Sequence, residues 1–492
     1  MNGTVDIEAA RAALEEALVA WLPRQRWYGG GQVIRSVRCV ELSPLGVQGA
    51  DVALCVAAVE HADLTQETYN VPVALSSPGG LRPSDPAAII HADTETLIFD
   101  ALADARSAAP LWRVLASGSE VQLRSGRLTV GGGGLDPSTP DIAPLAREQS
   151  NTSLVVGGQH LLKVMRKLAF EPSVELEMTR ALDEAGFHHL APPQAWLRYE
   201  RDDRPNPALL AIAQPFLHNG TEGWTLAMTS LRDLYADAEE HLPGDAVDRT
   251  RAVEDAGGSF TAEAARLGDI TAQMHLALAR ATGPDLAPEP ITQSLLNEWA
   301  DEVIAELGAL IGRGDEALSG LPAHRDALEA RANSIRTLRQ PGLAIRIHGD
   351  YHLGQVLRTD SGWTVLDFEG EPRRPVEHRR RRHSPLRDVA GMLRSFDYAA
   401  SVALLERLTP ADQAWEHVRA HGLSWAAANR EAFWATYVER TAGTALLPDP
   451  GAALTLRRAF EIQKSIYEVG YELAHRPQWV PVPLGFLLEA TP

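Results

Sequence analysis

The stretch 347-IHGDYHLGQVLRTDSGWTVLDFEGE-371 decides the reading of this chain. Two short apolar runs, 356–357 and 363–366, flank the polar segment 358–362, which is the pattern of a β-hairpin. Polar residues that strand pairing does not need stand at its mouths. His348, Asp350 and Gln355 precede the first strand, and Asp367 and Glu369 follow the second. Closing the hairpin predicts that Asp350, Gln355 and Asp367 meet at one end. A carboxylate, an amide oxygen and a second carboxylate in that order suit phosphoryl transfer. Asp350 would orient or deprotonate a hydroxyl, while Gln355 and Asp367 would hold Mg²⁺ on the phosphates. The plain alternative is a surface hairpin with charged ends.

Working outward, 492 residues suffice for two or three structural units and a large core. With 46 Lys and Arg against 65 Asp and Glu the net charge is −19, which argues against general nucleic-acid or anionic-membrane binding. Cys39 and Cys55 are the only cysteines, so a disulfide framework is not expected. MNGTVDIEAARAALEEAL at the start lacks the charged and apolar regions of a signal peptide, and no stretch approaches the ~20 apolar residues of a membrane span. A cytoplasmic protein is the expectation.

Apolar residues at helical spacing predict a helix over 6–22, ended by Pro23 and the glycines at 29–31. Strands are expected between 35 and 73, a turn-rich stretch over 76–86, and a helix over 94–105. Further strands are expected at 112–115, 121–123 and 128–130, followed by a glycine-rich loop with Pro137 and Pro140. The segment 148–187 reads as strand, Gly157-Gly158 turn, strand, loop and helix, and 209–216 as a buried strand. From 218 onward helices dominate, at 224–242, 258–280, 291–312, 320–338, 385–407, 411–417, 424–440 and 451–475. The fold class is therefore α+β: a cap over 1–108, a β-rich nucleotide-binding part over 109–217, and an α-rich lobe over 218–492 that carries the hairpin.

Ser150, Asn151, Thr152 and Ser153 lead into the first strand of the 148–187 segment, where small polar groups and backbone N–H groups can contact phosphates. Lys163 lies in the apolar run LLKVM and needs a counter-ion, which the next helix offers as Glu175 or Glu177, with Glu175 preferred. A strand lysine paired with a helix glutamate recurs in protein-kinase-like folds. Gln214 and Phe216 fall where a hinge would bind adenine through backbone groups.

Together, the lysine and glutamate with HGDYHLGQVLR and LDFEGEP resemble the aminoglycoside-phosphotransferase-like small-molecule kinases. The closer resemblance is to actinobacterial maltokinases, through RQRWYGG (24–30), EQSNTSLVV (148–156), EGWTLAMTSLRDLYA (222–236), DFEGEP (367–372), SPLRDVAGMLRSFDYAA (384–400) and YEVGYELAHRPQWVPVPL (467–484). The resemblance implies a two-lobed protein-kinase-like fold with an N-terminal cap. It also implies ATP with Mg²⁺, and transfer of the γ-phosphate to the anomeric hydroxyl of maltose. By position, Asp350 matches the catalytic aspartate, Gln355 and Asp367 the metal ligands, and Lys163 the phosphate lysine, with Glu369 in support. A monomer is expected, and association with a trehalose-to-maltose converting enzyme stays open. Three positions depart from the family: Tyr351 for Leu, Gln463 for Asp and His383 for Asp. Gln463 stands near the expected acceptor pocket, so glucosamine or another amino sugar is the competing acceptor. A non-catalytic nucleotide-binding regulator is the alternative of another class.

For the acceptor, the final long helix offers Lys464, Tyr467 and Glu468 within about two turns. Its Glu461, Lys464, Glu468 and Glu472 read equally as a cleft wall or as a solvated salt-bridge face. Arg387 and Asp388 read as a buried pair bracing the hairpin, and His348 as a hydrogen-bonder to the catalytic loop backbone. His352 reads as structural.

Overall fold

The computed structural model describes residues 7–29, 31–45, 52–77, 79–138, 141–145, 150–240, 251–253, 255, 260–371 and 374–489. The ends of the helices expected at 6–22, 224–242 and 258–280, together with Gly30, Pro140, residues 148–149 and Pro372, lie outside them. Two compact units emerge. One comprises 1–173 and 191–217, the other 174–190 and 218–492.

The first unit holds two seven-stranded sheets. Helix α1 (Arg11–Trp21) buries Leu14, Leu18 and Trp21 with the inward residues of β1 (Ile34–Pro44) and β2 (Val52–His61). The first sheet adds β3 (Gln66–Asn70), β4 (Val73–Ser76), β5 (Ile89–Ala92), β6 (Leu97–Asp100) and the short β12 (Lys167–Leu168). The second sheet runs β7-β8-β13-β14-β11-β10-β9. Its central members are β10 (Asn151–Val156), β11 (His160–Met165), β13 (Ala195–Glu200) and β14 (Ala208–Pro215); β7 (Val121–Gln122), β8 (Arg127–Gly132) and β9 (Ile142–Leu145) complete it. Gly157 and Gly158, at φ 60° and 66°, make the β10–β11 turn. Both lie in the left-handed region that glycine adopts at little cost.

Two local expectations fail here. The helix expected over 94–105 is strand β6, and the strand expected over 112–115 belongs to helix α2 (Ala105–Ser117). A short apolar run does not distinguish a buried strand from a buried helix. The caps are the better signal: Asp104 accepts from the Arg106 N–H, and Gly118 closes the helix at φ 65°.

In the second unit, helix α3 (Val174–Glu184) packs with a helical core built from α4 (Gly223–Glu240), α5 (Phe260–Leu278), α6 (Gln293–Gly312), α7 (Arg325–Ser334), α8 (Val376–Arg379), α9 (Leu386–Arg407), α10 (Trp415–Thr441), α11 (Pro450–His475) and α12 (Pro481–Glu489). The helices expected at 411–417 and 424–440 are one helix, α10. Gly422 falls in the gap between the two expected helices, and a Cβ there would come within 2.0 Å of the Tyr235 hydroxyl, so the glycine permits close packing within the continuous helix. The only sheets among the described residues of this unit are small. β15 (Thr221–Glu222) pairs with the expected hairpin, β18 (Val356–Thr359) and β19 (Gly362–Val365), while β16 (Glu289–Pro290) pairs with β17 (Leu343–Ala344).

Candidate active site

The hairpin closes with Val356 opposite Val365 and Thr359 opposite Gly362. At its mouth the Gln355 amide lies 3.4 Å from Asp367 Oδ2. Asp367 adopts φ 59°, an uncommon conformation for a residue with a side chain and one that concentrates at functional sites. Glu175 of α3 and Glu369 complete a cluster in which one carboxylate oxygen from each of Glu175, Asp367 and Glu369 lies within 4.8 Å of the others. Hard oxygen donors of this kind fit Mg²⁺. Gln355 would contribute its amide oxygen by the end-for-end placement of the amide that the two nearly indistinguishable atoms allow.

Of the two helix glutamates, Glu177 is engaged elsewhere. Its carboxylate receives Arg380 at 2.8 and 3.0 Å and Arg346 at 3.4 Å, leaving Glu175 as the one on the side of the metal loop.

Asp350 sits on the loop ahead of the hairpin. Lys464 Nζ of α11 donates to its Oδ1 at 3.1 Å, and His352 Nε2 lies 3.8 Å from its Oδ2. Burial alone would raise this carboxyl, but Lys464 and His352 outweigh it and hold the group well below the usual carboxylate range. Burial likewise pulls Lys464 down, and Asp350 and Glu468 more than restore it, so the ammonium is held above its ordinary value. Asp350 is thus held in its ionised form at neutral pH. His352, expected to be structural, turns one ring nitrogen to the Gly354 N–H and the other toward Asp350.

The loop is held from beneath by a buried carboxylate. Asp388, in the first turn of α9, accepts from the His348 N–H at 2.7 Å and the Gly349 N–H at 2.9 Å, and meets His275 Nε2 at 3.2 Å. His275 in turn meets the Tyr437 hydroxyl at 2.9 Å. Burial pushes Asp388 up and His275 more than compensates, so its pKa is lowered. The expected Arg387–Asp388 brace is therefore corrected to Asp388 with His275. Successive helical residues point about 100° apart, and Arg387 faces a cavity instead. His348 does what its position suggested: Nε2 meets the Leu366 carbonyl at 2.8 Å while Nδ1 accepts from the Asp350 N–H at 3.3 Å. It therefore ties the catalytic loop to the metal loop.

That cavity, of about 420 Å³, opens beside both loops and is lined by Gly349, Gly370, Glu302, Glu371, Arg374 and Arg387 among others. Its size suits a small ligand. Glu306 braces Arg374 of that wall at 2.5 Å and also receives the Gln463 amide at 3.2 Å. Gln463, the departure from the family pattern, is thus buried against a glutamate. His383, the other departure, stacks on Trp299 at 4.3 Å, and burial keeps it neutral. Tyr351 is buried with its hydroxyl 2.9 Å from that of Thr271.

The solvated-face reading of α11 fails. Glu461 receives Arg430 and Arg457, Glu468 receives Arg394, and Glu472 receives Tyr398 and Arg476. Tyr467 lies with its ring centroid 5.1 Å from Lys464 Nζ.

The nucleotide-side candidates lie in the first unit. Lys163 on β11 is half-buried, directly opposite Ser153 on β10 and Ile212 on β14. Ser153 is buried, Ser150 exposed, and Asn151 and Thr152 intermediate. The Thr152 hydroxyl accepts from Arg166 at 2.7 Å, so that oxygen already has a structural partner. Gln214 pairs with Leu161, and the Phe216 N–H donates to the Gln159 carbonyl at 2.8 Å. Sequence reasoning missed Glu302, Glu306, Arg374, His275 and Tyr437. Glu302 and Glu306 share α6, Arg374 lies just ahead of α8, and His275 and Tyr437 stand on α5 and α10, with no local motif to mark them.

Residues 21–104 match the maltokinase N-terminal cap domain family. The chain is 31% identical over 350 residues to a glucosamine kinase of Streptacidiphilus jiangxiensis, covering 68% of this chain and 70% of the relative. It is 28% identical over 348 residues to a glucosamine kinase of Mycolicibacterium smegmatis, covering 69% and 77%. A solved glucosamine kinase in complex with glucosamine, ADP and inorganic phosphate superposes with a TM-score of 0.67 over 100% of both chains, at 24% identity. The fold is thus the kinase-like one, with an N-terminal cap and a helical C-terminal region.

Proposed function

This chain belongs to the maltokinase-like family that includes these glucosamine kinases, and on that premise we propose that it phosphorylates maltose at the anomeric hydroxyl, giving maltose 1-phosphate for α-glucan and glycogen synthesis. It is an ATP-dependent phosphotransferase with a hydroxyl acceptor. The observation that carries the chemistry is the cluster of Gln355, Asp367, Glu369 and Glu175 on and beside a loop that His348 ties to the loop bearing Asp350. The cap match favours maltose.

Asp350 accepts the acceptor hydroxyl and aligns it with the γ-phosphate, remaining ionised because Lys464 and His352 hold it so. Gln355, Asp367 and Glu369 would hold Mg²⁺, which would supply neutralisation of charge on the phosphates. Lys163, Ser150, Asn151 and Ser153 contact the nucleotide phosphates, and the hinge at Gln214 and Phe216 takes the base. The cavity beside Gly349 and Arg387 receives the sugar. The protein works in the cytoplasm as a monomer; no described helix is long and apolar enough to cross a membrane.

A second reading, glucosamine as acceptor, is favoured by what the two curated relatives are called. ATP turnover measured side by side with maltose, glucosamine and kanamycin tests both. Maltose at least ~10-fold ahead in kcat/KM supports the proposal, and glucosamine ahead replaces it. Turnover with no sugar leaves a nucleotide-binding regulator.

A further inference from the structure

We propose that Lys464 is a positioning residue for Asp350 that also screens acceptors: it admits a hydroxyl whose neighbours are neutral and excludes one with an ammonium on the adjacent carbon. The inference rests on the kinase reading, in which Asp350 meets the acceptor.

Glu461, Lys464 and Glu468 are spaced three and four residues apart on α11 and share a helix face. The flanking glutamates are anchored. Arg430 reaches Glu461 at 3.1 Å and Arg394 reaches Glu468 at 2.9 Å, while Asp397 joins the two arginines at 2.7 and 3.3 Å. This ionic chain pins the helix about one turn to either side of Lys464. The remaining charge on that face is thereby aimed at the catalytic loop, where Nζ lies 3.1 Å from Asp350 Oδ1. Asp350 Oδ2, with His352 3.8 Å away, is left for an acceptor hydroxyl.

A hydroxyl bound there brings the substituent on its neighbouring carbon into the ~4–6 Å range over which one charge acts on another. A neutral substituent meets no penalty, and an ammonium meets a fixed cation. The carboxylates around Lys464 that could offset it are already engaged: Glu461 by Arg430, Glu468 by Arg394 and Glu472 by Arg476 on α11, Glu371 by Arg374 at 3.6 Å, and Asp350 by Lys464 itself. A single amino sugar can therefore serve only through a hydroxyl remote from its amine.

The test compares wild type, Lys464→Met and Lys464→Arg in the full chain, with maltose, glucose and glucosamine as acceptors and the product position read by phosphorus–proton NMR. Lys464→Met should lower kcat at least ~10-fold with maltose at unchanged KM for ATP. It should also move the acid limb of kcat/KM upward by about one pH unit or more, because the cation that lowers Asp350 is gone. Wild type should leave the hydroxyls next to the amine of glucosamine unphosphorylated. Lys464→Arg should restore the acid limb and most of kcat. Phosphorylation of glucosamine by wild type on a carbon adjacent to the amine overturns the screening role. A kcat loss with an unmoved acid limb in a normally melting Lys464→Met overturns the positioning role. A wild type that transfers to no sugar overturns the kinase reading itself, and this inference with it.

Discussion

Two ion pairs, one in each unit, look alike in sequence terms and serve opposite ends. In the first unit Arg166 pairs with Asp100 at 2% and 8% side-chain exposure. Its remaining donors are used as well: Nε meets Thr152 at 2.7 Å, Nη1 reaches the Asn70 carbonyl at 3.5 Å, and the guanidinium lies 4.8 Å from the Trp27 ring centroid. In the second unit Lys464 pairs with Asp350 at 23% and 22% exposure. A charge whose bonds are all internal can only hold structure. A half-exposed carboxylate with one oxygen committed keeps an oxygen for a substrate. Burial depth and the count of satisfied donors separate the two roles.

Substitutions should break this contrast along the same line. Asp350→Asn should have the largest effect, lowering kcat by ~10³-fold or more while ADP affinity and melting temperature stay near wild type. Near-normal turnover in that variant would sink the proposed mechanism. Asp388→Ala removes the buried acceptor of two backbone N–H groups and leaves His275 without it, so about 3–5 kcal/mol of stability should go, along with turnover. Denaturant unfolding measures it. Arg166→Met should cost about 3 kcal/mol in unfolding of the first unit and leave the acid limb of kcat/KM where it was; a shifted limb would mean the two pairs are not separate in role.

The pH dependence of stability sharpens the comparison further. Asp388 has a lowered pKa in the folded state, so its contribution is complete above the ordinary carboxylate value and is lost as pH falls through the lowered one. Asp388→Asn should flatten the acid side of the stability curve, as followed by melting temperature against pH. At the small end, Arg180–Glu184 is an exposed pair four residues apart on α3, and Arg180→Ala should change stability by no more than about 0.5 kcal/mol.

Much of the site was legible because it is local. The hairpin, Gln355 beside Asp367, and His348 tied to the next loop all lie within one short stretch, where chain connectivity limits the possible arrangements. The cap strands were legible because they alternate or run apolar, and the long helices because their period repeats. The misreadings at β6, α2 and the break between 417 and 424 are short-range ambiguities that packing resolved: an apolar run of four fits either structure, and the segment around Gly422 continues the helix against Tyr235.

The sequence by itself determined the reaction type, because an ordered set of an acid, an amide and a second acid around a hairpin has few other uses, and it determined the β-rich and α-rich order of the chain. Only the tertiary structure decided which charges are free to act. It gave Glu177 to Arg346 and Arg380, Glu468 to Arg394 and Glu461 to Arg430, and it brought Lys464 to Asp350 from 114 residues away. Ion pairing depends on which helices meet at a depth where water no longer screens them, and no spacing along the chain encodes that.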